Sequence, residues 1–564
     1  MVRDDVRYDR QIRLWGDEGQ SCIEHTSVCV LSASALGCEI IKSLVLAGIK
    51  SVYIVDSAIV CKPDLGSNFF LDDEIGQPRA KAAMRLLMEL NPSVQGGFDL
   101  GNPEDIIARD IDFLKQFTVV VGCNLNIDIA AQINEILFER NIPFVHARAY
   151  GLVGFVRISV QEHTIIDTHE ENVLPDLRWG VNYVPSPEVW LQVWNPRAGS
   201  HFMVFRLDCP FPELSDLAVS TDLNQMHYEA HSHTPYLILF LKALTLWREK
   251  YGQDDFPDDR EKRKIFMSLR KPHPENGSLR EENFAEGHAA IVRSLRRTTI
   301  PLEVKELLNH PKAQQPDLSQ FWLLTAALRR FVIAHEVLPL RGSLPDMISD
   351  SKSYVLLATK FREQAKQDAE EVMNHVRKIL AERGIRNDII KYPDCEFFCR
   401  KAAFLRVQHG TTIGQEIKSS LEEVFNDVRN ADFEPNSITG IPKIPPGIWY
   451  ILLRAIDRFH SEKSRFPGTN GVPCTIDAYD LKARVVDLIA ETKIGDRSEM
   501  LEKIPQIAID EMCRYGASEL HVIASIIGGI AAQEVIKLAT HQYISLDNTF
   551  IFDGHTQHAQ TYRL

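Results

Sequence analysis

The chain has 564 residues, of which 45% are hydrophobic and 25% charged, a composition that argues against a largely disordered or fibrous protein. At ~150 residues per domain, this length predicts about three or four domains. Acidic residues outnumber basic ones 77 to 63, for a formal net charge of −14, which disfavours nucleic acid and anionic membrane surfaces as partners.

Membrane anchors and secretion signals are not expected. The apolar stretch at residues 522–532 has about half of the ~20 residues that a membrane helix needs, and the N-terminal sequence MVRDDVRYDR lacks the apolar core of a signal peptide. The 10 cysteines form no CxxC pair, which argues against a zinc ribbon or a disulfide scaffold. We therefore expect a soluble intracellular protein in the cytoplasm, the nucleus or both.

The first 165 residues alternate between strand-like and helix-like segments. Residues 27–31 (SVCVL) and 51–56 (SVYIVD) are short strand candidates, and residues 37–47 (GCEIIKSLVLA) between them have helical spacing. Further strands are predicted at residues 117–121 and 142–146. Because strands that alternate with helices form parallel sheets, we expect an α/β fold with a mostly parallel, helix-covered sheet.

From residue 166 to 499 the pattern favours long helices. In the clearest one, apolar residues recur every three or four positions and Gly384 follows as a stop signal. Beyond residue 500, an apolar helix at residues 523–538 precedes strand-like segments at 542–546 and 549–552. The apolar positions of the clearest helix are Leu357, Phe361, Ala365, Ala369, Val372, Val376 and Ile379.

A glycine pair interrupts the late apolar helix. Glycine costs a helix ~1 kcal/mol relative to alanine, so Gly528 and Gly529 predict that another backbone packs closely there. That neighbour is either the sheet of this chain or a partner subunit.

The first strand runs into a turn, residues 32–37 (SASALG), where a nucleotide-binding βαβ unit has the pattern GxGxxG. The first glycine permits the tight turn, the second lets phosphate approach, and the third lets helix and strand pack closely. Ser32 and Ser34 replace the first two, and Gly37 keeps the third, which predicts a retained fold with a poor nucleotide site. Asp56 lies where such folds place a ribose-binding acid, although it also suits a solvated loop.

Several motifs, in matching order and spacing, resemble the ubiquitin-like-modifier activating enzymes. Others resemble the regulatory, non-catalytic subunits of heterodimeric members that activate the neddylation modifier. The first group is RYDRQI (7–12), LWG (14–16), SNFF (67–70), GQPRA (76–80) and GGIAAQEVIK (528–537). The second group is YGLVGFVR (150–157), DCPFPEL (208–214), HSHTPY (231–236) and CRYGASE (513–519).

The resemblance implies a fold and a division into domains. Residues 1–165 and 500–564 would form an α/β, Rossmann-like pseudo-adenylation domain with a mostly parallel sheet. Residues 166–499 would form a large, mainly α-helical insert that resembles the family's catalytic-cysteine domain but lacks the cysteine.

The resemblance also implies that the active site has been lost. Active members have glycines where Ser32, Ser34 and Ala35 stand, a lysine where Arg79 stands, and a magnesium-binding aspartate in the segment 122–126 (GCNLN). Without the backbone cradle and the metal, MgATP binding is disfavoured. No cofactor is therefore expected in this chain; ATP, magnesium and zinc are expected in a catalytic partner subunit.

One functional residue of the family is present. The second arginine of its RYxRQ segment reaches into the ATP site of the other subunit, where a guanidinium stabilises the charge of the leaving pyrophosphate. Arg10 matches that arginine; the alternative is an intrachain ion pair with Asp9 or Asp17. The implied partners are the catalytic subunit in a heterodimer, the ubiquitin-like neddylation modifier and, indirectly, a conjugating enzyme.

Active subunits also carry a nucleophilic cysteine. Cys474 in PCTI has a superficial likeness to the family's Pro-x-Cys-Thr segment, but it lacks the spacer between proline and cysteine, and we favour a loop cysteine. Cys395 and Cys399 are interpreted as packing positions one helical turn apart.

Three histidines form the pattern HxxxHxH. His227, His231 and His233 have metal-like spacing, but no fourth ligand is evident nearby. A turn and helix start at residues 232–235 is favoured instead, because Ser or Thr followed by Pro suits a helix N-terminus.

Two alternatives of other classes stay open. A self-sufficient activating enzyme would use Cys474 and carry out its own adenylation, whereas a nicotinamide-dependent dehydrogenase would use the βαβ unit. The missing phosphate glycines argue against both. The motifs outside the βαβ unit further disfavour the dehydrogenase.

Overall fold

The computed structural model describes residues 5–72, 74–105, 111–170, 211–251, 258–274, 277, 281–294, 299–385, 389–419, 421–430, 443–492 and 497–564. The chain divides into two compact units, one of residues 1–165 with 407–564 and one of residues 166–406. The first three residues of the motif at 208–214 lie outside the described residues.

Helices predominate along the chain, with ten short strands among the described residues. The strands are β1 (Ser27–Leu31), β2 (Ser51–Val55), β3 (Gln95–Asp99), β4 (Val119–Cys123), β5 (Phe144–Tyr150), β6 (Val153–Ser159), β7 (His163–Ile165), β8 (Arg406–Gln408), β9 (Thr549–Asp553) and β10 (His558–Tyr562). The α-helices are α1 (Asp5–His25), α2 (Ala35–Ala47), α3 (Arg79–Glu89), α4 (Ile127–Phe138), α5 (Pro212–Ser220), α6 (Tyr228–Ser232), α7 (Tyr236–Tyr251), α8 (Asp259–Ser268), α9 (Glu282–Ser294), α10 (Leu302–Asn309), α11 (Pro311–Gln314), α12 (Gln320–His335), α13 (Ser351–Glu382), α14 (Tyr392–Arg400), α15 (Ile413–Ile417), α16 (Glu422–Asn430), α17 (Pro446–Lys463), α18 (Cys474–Glu491), α19 (Arg497–Glu502), α20 (Gln506–Tyr515) and α21 (His521–Thr540).

The first unit is built on an eight-stranded sheet with the order β10-β9-β6-β5-β4-β1-β2-β3. Strands β1 to β5 pair in parallel, and β6, β9 and β10 add an antiparallel edge. In register, Val28 of β1 lies between Val52 of β2 and Val119 of β4. The prediction of a mostly parallel α/β sheet is therefore confirmed.

Both faces of the sheet are covered by helices. Since successive residues of a strand point to opposite faces, each strand contributes alternate side chains to the two cores. Val28 and Val30 of β1 belong to a core shared with α2 and α21. Cys29 and Leu31 belong to a core on the opposite face, with Ile133 of α4. A strand buried on both faces has to be apolar, as the four buried residues 28–31 (VCVL) are.

The second domain boundary differs from the expected one. The sequence divides the chain at residue 499, whereas the first unit already resumes at residue 407. Helices between these positions pack on the sheet: Trp449 and Ile456 of α17 share a buried core with Phe155 of β6. Helical spacing identifies a helix but does not indicate which core it covers.

Two buried ion pairs join this helical layer to the sheet. Arg157 Nε of β6 lies 2.5 Å from Glu416 Oε2 of α15, and both side chains are buried. Arg148 Nη1 of β5 lies 2.9 Å from Asp457 Oδ2 of α17. A buried charge needs its partner, so these contacts hold α15 and α17 to the sheet of the first unit.

Helix α21 crosses the core of the first unit. It is 20 residues long, and an 18-residue window of it has a mean hydropathy of 1.6, enough to cross a membrane by length and composition alone. However, 61% of that window is buried inside the protein. The apolar stretch is therefore longer than the sequence indicated. Its packing against α2 in the core explains its composition.

The close approach predicted at the glycine pair is made by Gly528. A Cβ there would lie 2.7 Å from Glu39 Cβ of α2, whereas a Cβ at Gly529 would meet nothing within 4 Å. The close neighbour of Gly528 is thus a helix of the same chain, α2, and not its sheet.

The second unit is helical in the residues described. Helix α13 contains every predicted apolar position, and Gly384 follows it with a φ of +68°. Cys395 and Cys399 are buried on α14, which confirms them as packing positions.

The prediction of a strand at residues 542–546 of the first unit was wrong. Ser545 N donates to Gln408 Oε1 and Leu546 N donates to Glu534 Oε2, so side chains take the place of a neighbouring strand.

The glycine pair allows a matched test of this packing. Gly528→Ala should lower the free energy of unfolding by about 1–3 kcal/mol, because the added methyl group overlaps α2. Gly529→Ala should leave it unchanged or raise it by up to ~1 kcal/mol, since alanine favours the helix. Urea unfolding followed by circular dichroism measures both, and equal effects would contradict the assigned packing.

Candidate functional site

A cavity of about 760 Å³ lies in the first unit, where the carboxyl ends of β1, β2, β4 and β5 meet. Such an edge is the usual ligand position in an open α/β sheet. Ser32 and Ser34 follow β1, Asp56 follows β2, and Asn124 follows β4; all four line the cavity. The sequence-predicted loop and its acid are therefore brought together.

The turn between β1 and α2 retains a glycine-like backbone without the first two glycines of a phosphate loop. Ser32 has a φ of +87°, in the left-handed region that favours glycine. Ser34 begins α2 as the N-cap, and its side chain accepts a hydrogen bond from Gly37 N. A Cβ at Gly37 would lie 2.2 Å from Ser32 O, so the third glycine is required for packing, as predicted.

Asp56 is buried, and both oxygens of its carboxylate accept hydrogen bonds from its own chain. Its Oδ2 accepts from Ala33 N at 2.8 Å and from Arg79 Nε at 2.8 Å, and its Oδ1 accepts from Ala58 N at 2.9 Å. In nucleotide-binding folds the acid at this position accepts a hydrogen bond from a ribose hydroxyl. Asp56 instead serves as an anchor for the surrounding loops.

Arg79, at the position of the family's lysine, faces carboxylates. In addition to the bond of its Nε to Asp56, the Nη1 of Arg79 lies 3.4 Å from Asp64 Oδ1, and its Nη2 donates to Ser32 Oγ at 3.3 Å. Burial lowers the pKa of Arg79, but these carboxylates offset that effect and raise it overall. The guanidinium is thus held as a structural cation within the cavity wall.

Glu519 is a cavity residue that sequence reasoning had not assigned to the site. Its Oε2 accepts from Ala35 N at 2.9 Å, and its Oε1 accepts from Asn124 Nδ2. Burial raises the pKa of Glu519, while hydrogen bonds from Ser34 and the backbone offset part of that rise. The CRYGASE motif at residues 513–519, which resembles the regulatory subunits, ends at Glu519 and is the sequence signal for this residue.

The GCNLN segment has structural roles in place of a metal aspartate. Asn124 Oδ1 accepts from Ala149 N at 2.9 Å, and Asn126 Oδ1 accepts from Asp128 N at 2.8 Å to cap α4. Among the described residues, no group of three or more His, Cys, Asp or Glu side chains is arranged to hold a metal ion.

The far wall of the cavity is also internally paired. Asp457 is held by Arg148; burial raises the pKa of Asp457, and Arg148 partly offsets the rise. His460 Nδ1 lies 2.9 Å from Asn126 Nδ2. The cavity thus has the position and size of a nucleotide site, but its main polar groups bind one another.

Comparison with known proteins identifies the family. The model of the ThiF family matches residues 8–564. The NEDD8-activating enzyme E1 regulatory subunit of Caenorhabditis elegans is 44% identical over 99% of this chain and 98% of its own length. The NEDD8-activating enzyme E1 regulatory subunit AXL of Arabidopsis thaliana is 36% identical over 100% of both chains.

The chain belongs to the ThiF family, among the NEDD8-activating enzyme E1 regulatory subunits. Among solved structures, one of E. coli MccB with ATP is 16% identical over 27% of this chain and 48% of that chain, with a TM-score of 0.25. The family assignment depends on the full-length relatives.

The other candidate site residue, Arg10, lies outside the cavity of this ThiF-family chain. Arg10 lies exposed on α1 and is not part of the cavity lining. Within the described residues, Asp9 Oδ2 lies 3.1 Å from Arg13 Nη2, so the ion pair considered between Arg10 and Asp9 is replaced by one with Arg13.

Cys474 is exposed at the first residue of α18, with its Sγ 3.8 Å from Cys513 O. It begins a helix, where the sequence favoured a loop.

The three histidines of HxxxHxH do not converge. His231 Nδ1 lies 2.5 Å from Glu281 Oε1 in a buried pair, whereas His233 is exposed and its Nδ1 lies 2.8 Å from Glu229 O. Helix α7 starts directly after Pro235, as the preference for a helix start predicted.

The buried anchor around Asp56 gives a stability prediction. Arg79→Met should lower the free energy of unfolding by about 3 kcal/mol, because it leaves the buried Asp56 carboxylate without its cation. Arg85→Met, on the same helix at an exposed arginine, should change it by less than ~0.5 kcal/mol. Chemical denaturation compares the two, and similar losses would show that Arg79 is no anchor.

Proposed function

We propose that this chain is the regulatory half of a heterodimer that activates the ubiquitin-like neddylation modifier. A catalytic partner subunit would bind MgATP and zinc, adenylate the modifier and hold it as a thioester for a conjugating enzyme. This chain would stabilise the partner and supply Arg10 to the partner's ATP site. The assignment is supported by its full-length relatives, which are NEDD8-activating enzyme E1 regulatory subunits.

The role proposed for Arg10 is supported by the packing of its helix, α1, on the rest of the first unit. Tyr8 is buried, and its hydroxyl accepts from Asn91 Nδ2 at 3.0 Å. A Cβ at Gly48 would lie 2.5 Å from the Tyr8 ring, and Arg7 Nη2 donates to Leu90 O at 3.1 Å. One side of α1 is therefore fixed to the first unit.

Arg10 projects from the exposed side of the same helical turn. A fixed backbone with an exposed guanidinium suits a residue that acts on a neighbouring subunit, since less backbone freedom is lost when it binds. Adenylation builds charge on the phosphates, and arginine matches phosphate oxygens with paired donors. Arg10 would stabilise that charge during modifier adenylation.

The proposal leaves this chain without a cofactor of its own. The serine-containing loop, the engaged Asp56 and the structural asparagines of GCNLN all support this view. The protein would work in the cytoplasm, the nucleus or both, without nucleic acid or membrane, in keeping with its net charge of −14.

Arg10 can be tested against a neighbour on the same helix. Arg10→Ala in the complex with the catalytic subunit should slow modifier-dependent ATP–pyrophosphate exchange by about tenfold or more, as expected for one charged contact in a transition state. Arg13→Ala removes an exposed arginine that pairs with Asp9 and should leave the exchange rate unchanged.

Assembly has to be measured in the same samples. Size-exclusion chromatography should show that both variants form the heterodimer, so that a slower rate reports on chemistry. An Arg10→Ala complex that assembles and exchanges at the parent rate would exclude the proposed role.

Cys474 provides a second test of the division of labour. Because we assign the thioester to the partner, Cys474→Ser should leave the yield of modifier thioester per heterodimer unchanged. Non-reducing gel electrophoresis measures that yield. Loss of the thioester in this variant would instead support a self-sufficient activating enzyme.

A further inference from the structure

The N-terminus of α2 carries an acidic group where nucleotide-binding folds carry phosphate. In such folds the first N–H groups of the helix after β1 point at the phosphates of the ligand. Here Ala35 N donates to Glu519 Oε2 at 2.9 Å. The third group, Gly37 N, donates to Ser34 Oγ at 3.4 Å.

We propose that the Glu519 carboxylate is a built-in substitute for phosphate, which closes the nucleotide pocket of this chain to phosphate-bearing ligands. This inference rests on the proposed function, in which the chain binds no nucleotide, and assigns the exclusion to a particular side chain. Ser34 adds to this by accepting the N–H of Gly37 in the same first helical turn.

The loop that carries Glu519 is fixed in place. Gly151 N donates to Ser518 O at 2.8 Å, and Ser518 N donates to Tyr515 O at 2.9 Å. A Cβ at Gly151 would lie 2.1 Å from the Tyr515 ring, so the tyrosine packs directly on the turn between β5 and β6. Glu519 therefore reaches α2 from a braced loop, and a ligand would have to displace it.

The charge of the cavity acts in the same direction. Five carboxylates line it, against two arginines. Both arginines already face carboxylates, Arg79 with Asp56 and Arg148 with Asp457. A polyphosphate entering the pocket would meet a net negative field with no uncommitted arginine to offset it. The five acidic residues are Asp56, Asp64, Glu104, Asp457 and Glu519.

Removal of the Glu519 charge would leave donors suited to an anion. The N–H of Ala35 and the Asn124 amide would both lose their carboxylate acceptor. Donors grouped at a helix N-terminus bind phosphate and related oxyanions. The ligand class expected for the opened pocket is therefore inorganic or nucleoside polyphosphate.

The test uses the full-length chain and inorganic pyrophosphate as the probe. Isothermal titration calorimetry should show at least about tenfold tighter pyrophosphate binding for Glu519→Ala than for the parent, with Glu519→Gln between them because glutamine keeps one acceptor oxygen. Glu104→Gln removes an exposed charge from the same cavity without touching α2, and it should bind like the parent.

Thermal unfolding of each variant establishes that it is folded, and the isosteric Glu519→Gln serves as the test if the alanine variant unfolds. The inference is overturned if folded Glu519 variants bind pyrophosphate no better than the parent, or if Glu104→Gln gains as much. In the first case the proposed function stands, because the lost glycines alone would exclude nucleotide. Tight MgATP binding by the parent chain would instead contradict the proposed function itself.

Discussion

The carboxylate of Asp56 is the contact on which the site depends. It binds the backbone of the β1–α2 turn at Ala33, its own loop at Ala58 and the side chain of Arg79 on α3. These three elements would surround a nucleotide in an active member of the fold. Since a buried carboxylate has to be satisfied by hydrogen bonds or a cation, Asp56 keeps the shape of the pocket while engaging the groups that would recognise a ligand.

Elsewhere around the cavity, contacts within the chain also take the place of contacts with a ligand. Ser32 retains the backbone conformation of a glycine at a cost of about 1–2 kcal/mol, and Ser34 and Glu519 satisfy the helix N-terminus that would otherwise bind phosphate. Interactions that would be made with a ligand are made within the chain. The fold is thereby stable without nucleotide, which suits a subunit whose proposed contribution, through Arg10, is made at another protein's active site.

Local sequence patterns predicted the parts of the structure that depend on neighbours in the chain. The βαβ unit, the packing role of Gly37 and the long helix α13 follow from strand, turn and helix spacing. Long-range contacts were not predictable in this way. Glu519 reaches Ala35 across 484 positions, and nothing in its local motif indicates which helix it caps.

The placement of helices shows the same limit. Spacing predicted helices before residue 499, but Arg157 and Arg148 of the sheet select α15 and α17 as partners through buried ion pairs. The expected strand at residues 542–546 failed for a similar reason, because the side chains of Gln408 and Glu534 satisfy its backbone. Both outcomes depend on residues more than ten positions away.

We propose that this chain's own side chains satisfy its nucleotide pocket and that the working ATP site belongs to the partner subunit. Titration of MgATP into the purified heterodimer, with the number of bound nucleotides determined per complex, tests this most directly. The account predicts one ATP per heterodimer. Two ATP molecules per heterodimer, with the second one in contact with the β1–α2 turn of this chain, would contradict it.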